Sequence, residues 1–294
     1  MRHGRRAGAH RPLAAEHAHR LHHRVVHQHS GNAGPDPVSI PAGEIEAWIA
    51  TFFWPFLRIG ALFAVAPIIG TRAVSTRIRL IAALATTLVI LPVVPTPQPP
   101  EVLTIPWLAA VAQELLIGAG MGFLLQIVFE AIAFGGQLIA LGMGLGFAQM
   151  TDPLRGVETP VLGQFFSLFA TLLFLTLDGH VRLILLAAES FGWPPGVLVG
   201  WLPDAHLAIA QWGTAMFVGA LQVALPAMCA LLLVNFAFGV MSRSAPALNV
   251  LSVGLPAALV FGLLAMYTAL PALQQVLDYW LEQAMASIAA IYTR

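Results

Sequence analysis

From Glu44 onward the sequence is a succession of apolar runs, and their length is what most limits the folds open to it. Six segments, about 47–69, 78–94, 107–134, 160–177 with an extension to 190, 207–240 and 250–277, are almost free of charge. Each approaches or exceeds the roughly 20 residues a helix needs to cross about 30 Å of hydrocarbon. One soluble core could not absorb them all. No run has the polar face of a surface helix, and no repeat of solenoid period is present. With 58% hydrophobic and 10% charged residues, and a mean hydropathy of +0.81, the chain is predicted to be all-α: a polytopic helical membrane protein of about six long apolar helices arranged as hairpins. Pro55, Pro67, Pro226, Pro256 and Pro271 fall in or near these segments. Each frees a carbonyl that needs another partner, so kinked helices packed on other protein are expected.

The net charge of zero hides an asymmetry. Residues 1–37 hold six arginines and eight of the ten histidines, against Glu16 and Asp36. This stretch lacks an apolar signal-peptide core and reads as a basic, His-rich disordered head, with 38–294 as the membrane domain. Its histidines at 17, 19, 22, 23, 27 and 29 are irregularly spaced and lack Cys or clustered acids, so a metal site is not expected. Translation from upstream of the natural start explains the head equally simply. The chain contains no lysine, a bias ascribed to base composition, and Cys229 is its only cysteine, which precludes an internal disulfide.

Arginine placement suggests an orientation. Arg72, Arg77 and Arg79 crowd the first connection, which is therefore expected in the cytoplasm. Alternation then puts 92–106 and 178–206 outside, and 152–158 and Arg243 inside. Ser242, Ser244 and Pro246 supply turn chemistry beside Arg243, the expected tip of a helical hairpin.

Charge within apolar segments is expensive, about 2.5–3.5 kcal/mol at a helix centre on translocon scales, so Arg58, Glu114 and Glu130 need an explanation. Two remain open on spacing alone: a proton or ion path, and pairing with polar groups on neighbouring helices or subunits. Gly135, Gly136, Gly142, Gly144 and Gly146 lie in "GGQLIALGMGLGFAQMTDP", a piece too interrupted to read as an ordinary span. Its glycines let helices approach closely, or its flexible backbone lines or blocks a water-filled path at membrane depth, with Met143 and Met150 as adaptable apolar bulk. Hydrolase, nucleotide and metalloprotease motifs are absent from the sequence, and Asp178 with His180 reads as a helix-end feature rather than a catalytic dyad. The chain is expected to be no enzyme, to need no cofactor or metal, and to bind no nucleic acid.

Four motifs in order carry the reading further: "RIGALFAVAPIIG", "QELLIGAGMGFLLQIVFEAIAFGGQLIALGMGLGFAQMTDP", "LFLTLDGHVRLILLAAESF" and "RSAPALNVLSVGLP". Over roughly residues 44–285 the chain resembles the FliR family of flagellar and type III secretion export-gate proteins. The hairpin signature would be Arg243, Pro246, Asn249, Gly254 and Pro256. The resemblance implies a non-catalytic subunit of the flagellar export gate in the bacterial inner membrane, at the basal body. Its partners would be FliP and FliQ, other export-apparatus membrane proteins and the exported flagellar proteins. By the same resemblance the glycine-rich segment acts as a pore plug, a role carried onto Gly142, Met143, Gly144, Gly146, Phe147, Met150, Asp152 and Pro153. The virulence injectisome counterpart and, more distantly, a secondary transporter using Arg58, Glu114 and Glu130 are the rival readings; a hydrolase centred on Asp178 and His180 is a distant third.

Overall fold

The computed structural model describes residues 42–95, 103–146, 161–192, 198–244 and 250–293. Phe147, Met150, Asp152, Pro153, Pro246, Asn249 and the histidines of the head lie outside the described residues. The chain divides into two units, Met1–Ala47 and Trp48–Arg294. Of the first, Ala42–Ala47 is described, and it is helical.

The described residues are all-helical and form seven α-helices: α1 (Ala42–Val65), α2 (Thr76–Ile90), α3 (Ile105–Gly142), α4 (Val161–Thr176), α5 (Gly179–Glu189), α6 (Leu198–Ser244) and α7 (Val250–Thr293). Short 3-10 turns, Leu91–Val93 and Ser190–Gly192, follow α2 and α5. Four stretches are long and apolar enough to span a membrane: Thr76–Val93, Ile105–Gly142, Ala210–Met241 and Gly254–Ala290. The pair α4 and α5 would make a fifth, bent by 66°. The fourth expected segment is therefore two helices. Asp178 turns the chain at φ 54°, and its carbonyl accepts from the amides of Val181 and Arg182 to start α5 in a new direction. The first expected segment ends earlier than 69, α1 stopping at Val65. Pro67 disfavours helical geometry at the residue before it, and Ile68 follows at φ 74°.

The third segment is longer than expected. Gly135 and Gly136, read from the sequence as the start of an interrupted piece, lie inside the 38-residue α3. Thr104 caps its start, its hydroxyl accepting from the Trp107 amide. Helix α3 is the centre of the membrane unit: 61% of its spanning window is buried, against 33% for α6 and 17% for α7. It packs on α4, α6 and α7, while α6 and α7 pack on each other as a hairpin in which Trp280 Nε1 donates to Gln222 Oε1 at 2.9 Å. Pro55 lies inside α1, and Pro256 and Pro271 inside α7.

Small residues are what bring backbones to α3. On one face Gly118 and Gly122, four apart, receive α1: a Cβ at Gly122 would stand 2.9 Å from the Leu62 carbonyl oxygen, and one at Gly118 would overlap that of Arg58. On other faces Gly135 meets the Ala220 carbonyl of α6, and Gly136 meets Leu162 and Phe166 of α4. Lipid offers no hydrophobic force between helices, so close van der Waals approach must hold them. Gly118→Ala is accordingly expected to push α1 off α3 and to destabilise the protein by about 1–3 kcal/mol, whereas Gly60→Ala, with nothing near its Cβ, should be neutral or mildly stabilising. Thermal unfolding of the detergent-solubilised variants measures the contrast.

Candidate functional site

Two places in the described structure combine unusual residues with strong positional constraint: the end of α3 and a charged node at its first third.

Helix α3 ends in a Schellman motif. Gly144 has φ 80°, its amide donates to the Leu141 carbonyl at 3.0 Å, and the Leu145 amide reaches back to Ala140 at 3.1 Å. A left-handed residue one past the cap is what this motif requires, and glycine adopts it without the penalty a Cβ brings. The cap residue, Met143, is only 1% exposed and seats its side chain against Gly262 of α7. One residue back, Gly142 faces Leu231 of α6, whose Cδ1 would lie 3.2 Å from an added Cβ. The root of the glycine-rich segment is thus clamped between the two longest helices. Gly146 lies just beyond, where a Cβ would touch the Leu141 side chain. Of the residues expected to form the plug, Gly142, Met143, Gly144 and Gly146 are placed at this root.

The node gathers three elements around Arg58 of α1, which is 6% exposed. Its Nε and Nη2 donate to Glu114 Oε2 and Oε1 of α3 at 2.6 and 2.9 Å. Its Nη1 donates to the backbone oxygen and the hydroxyl oxygen of Ser190, at 2.7 and 2.8 Å, and its guanidinium carbon lies 4.1 Å from the centre of the Phe191 ring. Ser190 passes its own proton to the Ala187 carbonyl at 2.6 Å. The planar fork matches the carboxylate bidentately, as a lysine could not. Aromatic rings of Phe53, Trp54 and Trp107 cluster on the same stretch of α1 and the start of α3. No buried side-chain nitrogen or oxygen among the described residues lacks a partner. Arg58 and Glu114 therefore saturate each other and Ser190, and their geometry is that of a tie joining α1, α3 and the end of α5. Glu130 is elsewhere: it is exposed on α3 and accepts from Gln126 Nε2 at 2.9 Å.

Leu231 and Gly262 escaped the sequence reading, and Ser190 and Phe191 entered it only as the end of a family motif, without a role. Nothing in a lone serine after α5, or a lone glycine in an apolar run, distinguishes them. Gly118 and Gly122 did carry a signal, the spacing of four that close-packed membrane helices favour. Arg243 is exposed in the last turn of α6, and Gly254 and Pro256 lie early in α7. Asp178 and His180 share no hydrogen bond among the described residues, and the Asp178–Gly179 step marks the helix bend instead: a Cβ on Gly179 would overlap the Phe174 ring. The described residues contain no cluster of three or more metal-ligating side chains.

Removing one partner of a buried ion pair leaves an uncompensated charge. Glu114→Leu is expected to cost about 3–5 kcal/mol, and the double variant Arg58→Met/Glu114→Leu to recover most of it; detergent thermal unfolding of the three proteins reads both effects. At the other place, Gly262→Leu should evict Met143 from its seat and destabilise by about 1–3 kcal/mol through overpacking, with Met143→Ala in the same chain relieving part of the loss.

Comparison with known proteins accords with this architecture. Residues 49–284 match the family model described as bacterial export proteins, family 1. The chain is 35% identical over 247 residues to the flagellar biosynthetic protein FliR of Pectobacterium carotovorum subsp. carotovorum, covering 84% of this chain and 94% of that one. It is 35% identical over 249 residues to FliR of Escherichia coli (strain K12), covering 83% and 94%, and 30% identical to that of Bacillus subtilis (strain 168) over 70% and 80%. The glycine-mediated packing, the Arg58 node and the capped end of α3 all lie within the matched span, and the chain belongs to the FliR family of bacterial export proteins.

Proposed function

We propose that the chain is a non-catalytic structural subunit of the flagellar type III export gate, embedded in the bacterial inner membrane at the basal body. It assembles there with FliP, FliQ and other export-apparatus membrane proteins around a channel for exported flagellar proteins. Family membership supports the export role, and the observation that carries the mechanism is the clamped root at Gly142–Gly144. A segment that must block a pore and later move aside needs a fixed point of departure. The Schellman cap stops α3 at Gly144, while Met143 and Gly142 hold that stop in the helix core. Gly142, Met143 and Gly144 then form the base of the plug, and Gly146, Phe147, Met150, Asp152 and Pro153 its distal part. Substrate or a change in assembly displaces the distal part, and the base stays in place.

The hairpin signature at Arg243, Pro246, Asn249, Gly254 and Pro256 joins α6 to α7, the two helices that grip the root. Arg58 and Glu114 contribute rigidity rather than proton transfer, because every donor direction of the guanidinium used in the node is already engaged.

Removing four residues between Gly146 and Pro153 should raise ion leakage across the membrane, read as loss of membrane potential in cells that express the assembled gate; an unchanged potential would refute the plug. In a deletion strain, swimming and the secretion of hook and filament proteins should be lost and should return with residues 38–294 alone. Full motility without the gene would overturn the flagellar assignment.

A further inference from the structure

The charges at Arg58 and Glu114 answer each other inside the chain, but Glu130 does not belong to that account. It lies past the midpoint of α3, on an exposed face of the most buried helix, and takes one hydrogen bond, from Gln126, on Oε1. Seven residues before it comes Phe123, 44% exposed, and seven before that Leu116, 47% exposed; seven after it stands half-buried Gln137. The strip is what the neighbouring helices leave open. Gly163 brings α4 onto Ala133 and Gln137 on one side, and Ala220 and Val223 bring α6 onto Gly135 on the other.

A spacing of seven keeps residues in line along a partner helix that crosses at a shallow angle, because the slight supercoil absorbs the difference between 3.5 and 3.6 residues per turn. Hydrocarbon tails fit Leu116 and Phe123 but not a carboxylate at this depth, which needs a cation or water beside it. A second copy of this chain supplies no such cation from the described residues. Arg72 lies in a loop, Arg77 and Arg79 in the first turn of α2, Arg182 in the first turn of α5 and Arg243 in the last turn of α6, while Arg58 is consumed by Glu114.

We propose that the stripe Leu116, Phe123 and Glu130, closed at its far end where Gln137 meets α4, seats one helix of a neighbouring export-gate subunit, and that this helix carries an arginine or lysine opposite Glu130. The assignment rests on the export-gate reading for the existence of such neighbours; the stripe and the sign of the charge come from this chain's geometry. Leu116 and Phe123 supply apolar contact, and Glu130 fixes the register at which the partner helix stops sliding. Gln126 holds the carboxylate in place from within the same helix.

The test uses the intact gate, isolated through a tag on this chain from cells that make the whole apparatus. A photo-crosslinking residue at Phe123 should join to a sister subunit, and mass spectrometry should place the junction on an apolar segment containing an arginine or lysine. Glu130→Arg should lower co-isolation of that subunit at least tenfold, and reversal of the partner's cation to glutamate should restore it; Glu130→Gln should lower it a few-fold. Amounts of each variant in the membrane and its thermal unfolding, expected to be unchanged, separate loss of a partner from loss of the fold. Crosslinks to phospholipid alone, to a second copy of this chain or to a segment without a cation would overturn the proposal. So would Glu130→Leu and Glu130→Arg gates that assemble and export like the parent, an outcome that leaves the export-gate reading standing. If the parent chain itself isolates with no export subunit, it is that reading that fails.

Discussion

The structure depends on the close approach of backbones to α3. A helix of 38 residues that other helices meet on several faces is packed in an apolar medium largely by van der Waals contact, and contact at backbone distance needs positions without side chains. Gly118 and Gly122 provide it toward α1, Gly135 toward α6 and Gly136 toward α4. The usual cost of glycine within a helix, about 1 kcal/mol relative to alanine, is offset by the contacts that each one admits. With α3 fixed, the other elements have defined places, and the motif that terminates it has a defined position in the core.

Electrostatics then divides the chain into an inner and an outer problem. Arg58 and Glu114, 56 residues apart in sequence, are brought together by the Gly118 contact, which sets α1 against α3 one turn from the carboxylate. Ser190 extends the tie to the end of α5 and satisfies the remaining guanidinium nitrogen. The packing that buries Arg58 makes the pair costly to disturb, because a guanidinium left there without Glu114 has little water to fall back on. Glu130 sits on an exposed part of the same helix, in line with Phe123 and Leu116, and has no cation partner among the described residues.

Much of this architecture was legible in the sequence, and what was not has physical causes. Apolar runs of spanning length dictate helices because the backbone has no other way to satisfy its polar groups in lipid. The four motifs located the family, and the family match over residues 49–284 falls within the roughly 44–285 over which the resemblance was read. Gly135 and Gly136 misled because local propensity disfavours them in a helix, while tertiary contacts decide otherwise. The bend at Asp178 was hidden because a non-glycine residue there adopts φ 54°, a conformation that sequence rarely announces, although aspartate tolerates it better than most. The pairing of Arg58 with Glu114 rather than with an ion path could not be settled by spacing, since it depends on which faces α1 and α3 turn to each other. The seat of Met143 on Gly262 links residues more than a hundred positions apart and leaves no local pattern at all.

The clamped end of α3 constrains how a gate built on it can move. Residues before Gly144 are held by helix hydrogen bonds, by Leu231 and by the burial of Met143. Displacing them would open a cavity in a close-packed core, at a cost that grows with the volume vacated. Rotation about Gly144 avoids this, because a residue without a Cβ has other backbone conformations close in energy to φ 80°. Motion is therefore cheapest just beyond the cap, and the same glycine that ends the helix is the natural hinge. Under the plug reading proposed above, an open and a closed gate would share one helical core and differ in what lies beyond Gly144.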